Sequence, residues 1–268
     1  MKPDLSLCRS LLFLPASNPR AIEKARTLAA DMVVLDLEDA VREDEKADAR
    51  AAAVAASREG FGERMVAIRV NPGGSPHYGE DVVAVRASGA DYVVLAKAES
   101  GKQVTDSAWL MQKPVLAMVE TPRAVIEAAA IAPAASGLIA GTNDLSATLG
   151  LSAGAGRGGL VYALQRIVLA ARAAGIPAFD GVYNRLEADE GLVAECEEGR
   201  AWGFDGKSAI HPSQLETINR IFSPGEDEID AARRLIEAAS GGAERHEGRM
   251  IEGMHIRQAQ ALLAKARK

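Results

Sequence analysis

Five charged residues in this chain stand where short apolar runs come to an end. Asp36 and Glu38 close the run 31–39, Arg69 the run 65–71, Glu120 the run 114–121 and Asp144 the run 137–144. Side chains alternate along a strand. Read as strands, these runs place Asp36 with Glu38, Arg69 with Met65 and Ala67, Glu120 with Leu116 and Met118, and Asp144 with Ala140 and Thr142. Each charge then sits at the C-terminal end of a face that is otherwise apolar or small. Any one such carboxylate can simply cap the next helix, as Asp39 could. Four strands converging on charge at the same end point instead to a shared site. Carboxylates without His or Cys are hard oxygen donors, the set Mg²⁺ prefers when it keeps water and substrate oxygens as its other ligands. Glu120, Asp144, Asp36 and Glu38 are therefore expected to meet at one mouth that suits a divalent metal, magnesium by chemistry, with Arg69 beside them. The four histidines lie elsewhere: His77 in a Gly/Pro loop, His246 and His255 near the end, and His211 between Ile210 and Pro212, where a structural role fits it.

The elements that must position these groups recur along the chain. Eight apolar runs of strand length occur at Ser10–Pro15, 31–39, 65–71, 91–98, 114–121, 137–144, 176–182 and 207–211, most of them rich in β-branched residues. Ala-rich helical stretches separate them. Asn18-Pro19 and Thr121-Pro122 read as helix starts, a capping side chain followed by proline at the first helical position. Ser213 with Glu216 reads as a capping box, and 160–174 as a helix stopped by Gly175. Parallel neighbours need crossover connections, so eight strand–helix units imply a (β/α)8 TIM barrel, with an open doubly wound sheet as the competitor. The expected division is a catalytic barrel over 1–222 and a C-terminal helical extension over 223–268, a lid or oligomerisation arm. The Gly-rich stretch 154–159 lacks the Lys-Ser/Thr ending of a phosphate loop and reads as a flexible connection.

Composition bounds the partners. The chain has 268 residues, a net charge of −6 and 48 % hydrophobic residues, but only 4 % aromatic, so its core must be built from Ala, Val, Leu and Ile. Acidity argues against nucleic acid or an anionic membrane as partner. No run is long enough to span a bilayer. Cys8 and Cys196 belong to no ligand or disulfide pattern, so a reduced, cytoplasmic protein is expected. The first thirty residues are locally basic, with Lys2, Arg9, Arg20, Lys24 and Arg26 against Asp4 and Glu23. Arg20 and Lys24 lie four apart at a helix start, a natural place for an anion.

The motifs "RSLLFLPASNPRAIEKA", "VVLDLEDAV", "IRVN", "VETP", "GTNDL" and "DGKSAIHPSQ" follow one another in that order. With them the chain resembles the citrate lyase β-subunit-like branch of the HpcH/HpaI aldolase family, which includes malyl-CoA and citramalyl-CoA lyases. The resemblance covers nearly the whole chain. It implies a metal-dependent (β/α)8 barrel, a homotrimer or hexamer, with Mg²⁺ on Glu120 and Asp144 and substrate on Arg69 and Glu120. It also implies that Glu38 and Asp39 support the metal's waters, and that coenzyme A phosphates lie near Arg20 and Lys24. Cleavage of a 3-hydroxyacyl-CoA to acetyl-CoA and a 2-oxo acid, pyruvate or glyoxylate, would follow. Alternatives on the same barrel are a citryl-thioester lyase subunit, a malyl-CoA thioesterase, or a non-catalytic binding subunit. Two positions depart from the pattern. Ala16 stands where the family often has glycine. Glu252, in "RMIEGMHI", stands where the family often carries, in "MID-x-P", an acid/base aspartate into a neighbour's active site.

Overall fold

The computed structural model describes residues 4–152, 154–239, 244–246 and 249–266. Eight parallel strands close into a barrel in chain order: β1 (Ser10–Pro15), β2 (Met32–Asp36), β3 (Met65–Val70), β4 (Tyr92–Leu95), β5 (Val115–Val119), β6 (Gly137–Ala140), β7 (Ala178–Asp180) and β8 (Gly206–Ala209). Closure comes from β1, which pairs with β2 at Leu14↔Leu35 and with β8 at Leu11↔Ser208. This is the (β/α)8 barrel expected from the eight runs.

The alternation that placed the charges also builds the core. Leu11, Phe13, Met32, Val34, Met65, Ala67, Val94, Leu116, Met118, Ile139 and Phe179 form one buried cluster, drawn from alternate positions of seven strands. The intervening residues, such as Leu12, Val33, Ile68, Val93, Ala117 and Leu138, are buried too, as parallel strands covered by helices require. Burial of both faces explains why the runs read as nearly continuous apolar sequence.

Helix starts follow the capping chemistry. The Asn18 side chain accepts from the Ala21 N–H at 3.1 Å and opens Pro19–Ala25. Thr121 Oγ1 accepts from the Ala124 N–H at 3.1 Å and opens Pro122–Ile126. The helix Val161–Ala174 stops at Gly175, whose φ of 70° suits glycine. Two expectations shift. The capping box lies at His211 with Gln214, not at Ser213 with Glu216, because Pro212 takes the first position of the turn. And β6 ends at Ala140: Thr142–Thr148 is helical, so Asp144 lies in a first helical turn rather than on a strand end.

The chain divides into two compact units, Met1–Asn219 and Arg220–Lys268. In the second, Glu226–Ala238 packs against Gly253–Ala266, and Glu244–His246 pairs antiparallel with Arg249–Ile251. Lys2, and most of the Gly/Glu-rich stretch 240–248, lie outside the described residues. No described helix is long and apolar enough to cross a membrane.

Candidate active site

The strand register brings Pro15, Asp36 and Arg69 side by side at the C-terminal end of the barrel. There the Arg69 guanidinium is held by both Asp36 oxygens, Nε to Oδ1 at 2.7 Å and Nη2 to Oδ2 at 2.5 Å. Asp36 also accepts from the N–H of Glu38 at 2.9 Å. The third nitrogen, Nη1, lies 3.0 Å from Glu38 Oε2 without hydrogen-bond alignment, and the guanidinium stacks over Phe13 at 5.4 Å. Burial works against the charge of Arg69, but its bonds to Asp36 and its closeness to Glu38 outweigh this and raise its pKa.

A cavity of about 420 Å³ opens above these residues, lined among others by Phe13, Asp36, Asp39, Arg69, Glu120 and Asp144. Glu120 follows β5 and is buried. Its Oε1 accepts from the backbone N–H of Lys97 at 2.7 Å. Its Oε2 lies against Gly141, where a Cβ would sit 2.7 Å from that oxygen and 2.3 Å from the Glu120 Cβ. Only glycine lets the loop before Asp144 approach Glu120 this closely.

The electrostatics of this mouth are unbalanced. Glu38 Oε1 and Oε2 and Asp144 Oδ2 have no hydrogen-bond partner. Burial, reinforced by Glu38, pushes the Glu120 carboxyl up to about 8. Burial pushes Glu38 up to about 7 even against the pull of Arg69. Carboxylates this costly to ionise, with lone pairs unfilled, are what a divalent cation would relieve. Among the described residues no three His, Cys, Asp or Glu side chains form a complete ligand cage. The donor set thus suits a hard cation held by two carboxylates and completed by other oxygens, the Mg²⁺ pattern.

Sequence reasoning missed the residues that hold this mouth in shape. Lys46 is buried and gives its three protons to Leu37 O (2.8 Å), Glu38 O (2.9 Å) and Asn71 Oδ1 (2.8 Å). Asn71 in turn donates to Leu37 O and to the buried Asp81. The acidic loop after β2 is therefore tied to the end of β3. Lys97 was also missed: its ammonium lies 3.5 Å from Asp144 and 3.8 Å from Glu38. Nothing in the spacing of either lysine distinguishes it from a surface lysine.

The other expected site residues scatter. Asp39 is exposed at the cavity rim. Arg20 and Lys24 are exposed on Pro19–Ala25 and do not line the cavity. Glu252 belongs to the second unit, where its N–H donates to His255 Nδ1 at 3.0 Å. His211 is engaged with Ser213 at 2.8 Å, consistent with a structural role. Within the 154–159 stretch, Arg157 binds both Asp180 oxygens, at 2.7 and 3.0 Å. Lys207 also reaches Asp180 (3.0 Å) and Glu195 (3.1 Å), and burial pushes the nearby Cys196 thiol up to about 12. Cys8 and Cys196 are both buried, and neither is in a disulfide.

Fold and mouth together define a (β/α)8 barrel protein with an acid-and-arginine site at the C-terminal end of its strands. The chain belongs to the HpcH/HpaI aldolase/citrate lyase family, whose model matches residues 9–212. It is 43 % identical to a (3S)-malyl-CoA thioesterase of Cereibacter sphaeroides over 96 % of this chain and 94 % of that one. It is 37 % identical to a citrate lyase subunit β-like protein of Mycobacterium tuberculosis, over 95 % and 94 %. Among solved structures it is similar to the M. tuberculosis protein CitE in complex with magnesium, acetoacetate and coenzyme A. There the TM-score is 0.85 and the identity 35 %, over 98 % of this chain and all of that one.

Proposed function

We propose that this protein is a Mg²⁺-dependent carbon–carbon lyase that cleaves a 3-hydroxyacyl-CoA of the citramalyl-CoA or malyl-CoA type. Its products are acetyl-CoA and a 2-oxo acid, pyruvate or glyoxylate. The observation that carries this reading is the set of unpartnered carboxylate oxygens on Glu38 and Asp144, next to Glu120 and facing a fixed arginine at one barrel mouth. Support comes from CitE of M. tuberculosis, solved with magnesium, acetoacetate and coenzyme A, and from its citrate lyase β subunit, solved with oxaloacetate and magnesium.

In this reading Glu120 and Asp144 hold the cation. Bound there, it would polarise the carboxylate and hydroxyl oxygens of the hydroxy-acid end of the substrate. Arg69, locked by Asp36, keeps its Nη1 edge for negative oxygen charge that grows as the carbon–carbon bond opens. The hydroxyl gives its proton to water at the mouth, its carbon becomes the 2-oxo carbon, and the bond electrons pass to the acetyl fragment. Glu252 of a neighbouring subunit then gives a proton to that fragment's enolate carbon. Glu38 and Asp39 orient water at the mouth, and Arg20 and Lys24 receive the phosphates of coenzyme A. The working protein is a cytoplasmic homo-oligomer, a trimer or hexamer.

A second reading is favoured by the 43 % identity to malyl-CoA thioesterases: the same bound substrate loses its thioester bond to water instead. One assay separates them. The purified protein with Mg²⁺ and either citramalyl-CoA or malyl-CoA should release a 2-oxo acid and acetyl-CoA in equal amounts. Free thiol with no 2-oxo acid would replace the lyase by the thioesterase, and neither product would sink both.

A further inference from the structure

The loop after β4 supplies a residue that the proposed reaction leaves unused. Lys97 has a φ of 49°, a left-handed backbone that residues with side chains seldom adopt and that clusters at functional sites. That turn sends its two polar groups to one place. Its N–H donates to Glu120 Oε1 at 2.7 Å. Its ammonium stands over Asp144 Oδ2 at 3.5 Å and Glu38 Oε1 at 3.8 Å.

Those two contacts are ion pairs at long range, and neither oxygen has a hydrogen-bond partner. The lysine offsets charge while leaving the lone pairs unfilled. Its side chain is 40 % exposed and that of Asp144 34 %, so the ammonium can withdraw into water at little cost. The buried lysines behave differently: Lys46 and Lys207 donate at 2.8–3.1 Å to fixed acceptors.

We propose that Lys97 is a built-in counter-cation of the mouth. Its ammonium offsets Glu38 and Asp144 in the metal-free protein and gives way when a divalent cation binds beside it on Glu120 and Asp144, so it sets the cation affinity by competition. The proposal rests on the cation reading above and deepens it. A cation on Asp144 would meet the ammonium within a few ångströms. Removing one unit charge near 4 Å from a partly screened site changes affinity by about tenfold.

The test is a calorimetric titration of Mg²⁺ into the metal-free wild type, Lys97→Gln and Lys97→Arg. Both substitutions keep the backbone N–H that binds Glu120. Lys97→Gln should bind Mg²⁺ about tenfold more tightly, and Lys97→Arg close to wild type. Unchanged or weaker binding by Lys97→Gln overturns the proposal. Thermal melts of the same proteins guard against a folding effect. Lys97→Gln should lower the melting temperature without Mg²⁺ and not with saturating Mg²⁺, whereas an equal loss in both would mark the lysine as structural and overturn the competition. A wild type that binds no Mg²⁺ would remove the cation reading and this proposal together, an outcome visible before any variant is compared.

Discussion

Two clusters of charge lie in the barrel unit, and they are built on opposite plans. On β7 and β8, Asp180 and Lys207 are 0 % and 1 % exposed; Arg157 and Lys207 donate to Asp180 at 2.7–3.0 Å, and Lys207 also donates to Glu195 at 3.1 Å. Both Asp180 oxygens are filled. At the mouth, Asp36 and Arg69 form an equally tight pair, but Glu38, Glu120 and Asp144 add carboxylates that Lys97 only partly offsets. The first cluster fills its buried carboxylate from within the chain and holds it together, although Arg157 Nε lies 3.4 Å from Glu198 without hydrogen-bond alignment. The second is complete only with something positive from outside. Buried charge whose partners are all present belongs to the fold, while buried charge with open lone pairs points to a ligand.

That contrast can be broken from either side. Arg157→Ala removes a partner from a fully buried carboxylate. It should cost about 3–5 kcal/mol of stability, read by denaturant unfolding, while the folded fraction keeps its Mg²⁺ affinity; a loss of affinity with unchanged stability would reverse the assignment. Lys46→Met takes one donor each from Leu37 O and Glu38 O and removes the Lys46 bond to the buried Asn71 Oδ1, and should cost about 1–3 kcal/mol. Because it loosens the acidic loop, it should also weaken Mg²⁺ binding. Intact binding would detach that loop from the site.

Gly141→Ala puts a methyl group 2.3 Å from the Glu120 Cβ, so Glu120 must move. About tenfold weaker Mg²⁺ binding is expected by calorimetry, in the range found when groups that orient metal ligands are disturbed. Unchanged affinity would show that this close approach serves packing alone.

The smallest effect is a pH dependence. Glu120 and Glu38 have folded-state pKa values of about 8 and about 7, both raised from an ordinary 4.5. Raised carboxyls make the folded state bind more protons than the unfolded one, so stability falls as pH rises from about 4.5 to about 8. The metal-free protein should therefore melt a few degrees lower at pH 8 than at pH 5, and added Mg²⁺ should raise the melting temperature more at pH 8. An equal Mg²⁺ effect at both values would contradict the account.

Much of this was legible in the sequence, and the reason is periodicity. Two-residue alternation and eight apolar runs set the barrel, and the same alternation put Asp36, Arg69 and Glu120 at one mouth. It failed at Asp144, because periodicity cannot say where a strand turns into a helix; Gly141 marks that change only once its contact with Glu120 is seen. Lys46, Lys97 and the Arg157–Asp180 pair were invisible for a different reason. Their roles depend on where long side chains end, and their partners lie far apart in the chain. The anchoring of Arg157 within 154–159 was hidden in the same way, since the glycines there are conspicuous and the arginine among them is not.

The claim that the mouth is completed by a cation is tested most directly by titrating Mg²⁺ into the metal-free wild type, Glu120→Gln and Asp144→Ala, with melting curves of all three. The account predicts one Mg²⁺ per chain for the wild type. It predicts binding weaker by about two orders of magnitude or lost in both variants, more than disturbing a supporting group costs, with the barrel still folded. Wild-type affinity in Asp144→Ala or Glu120→Gln would contradict it.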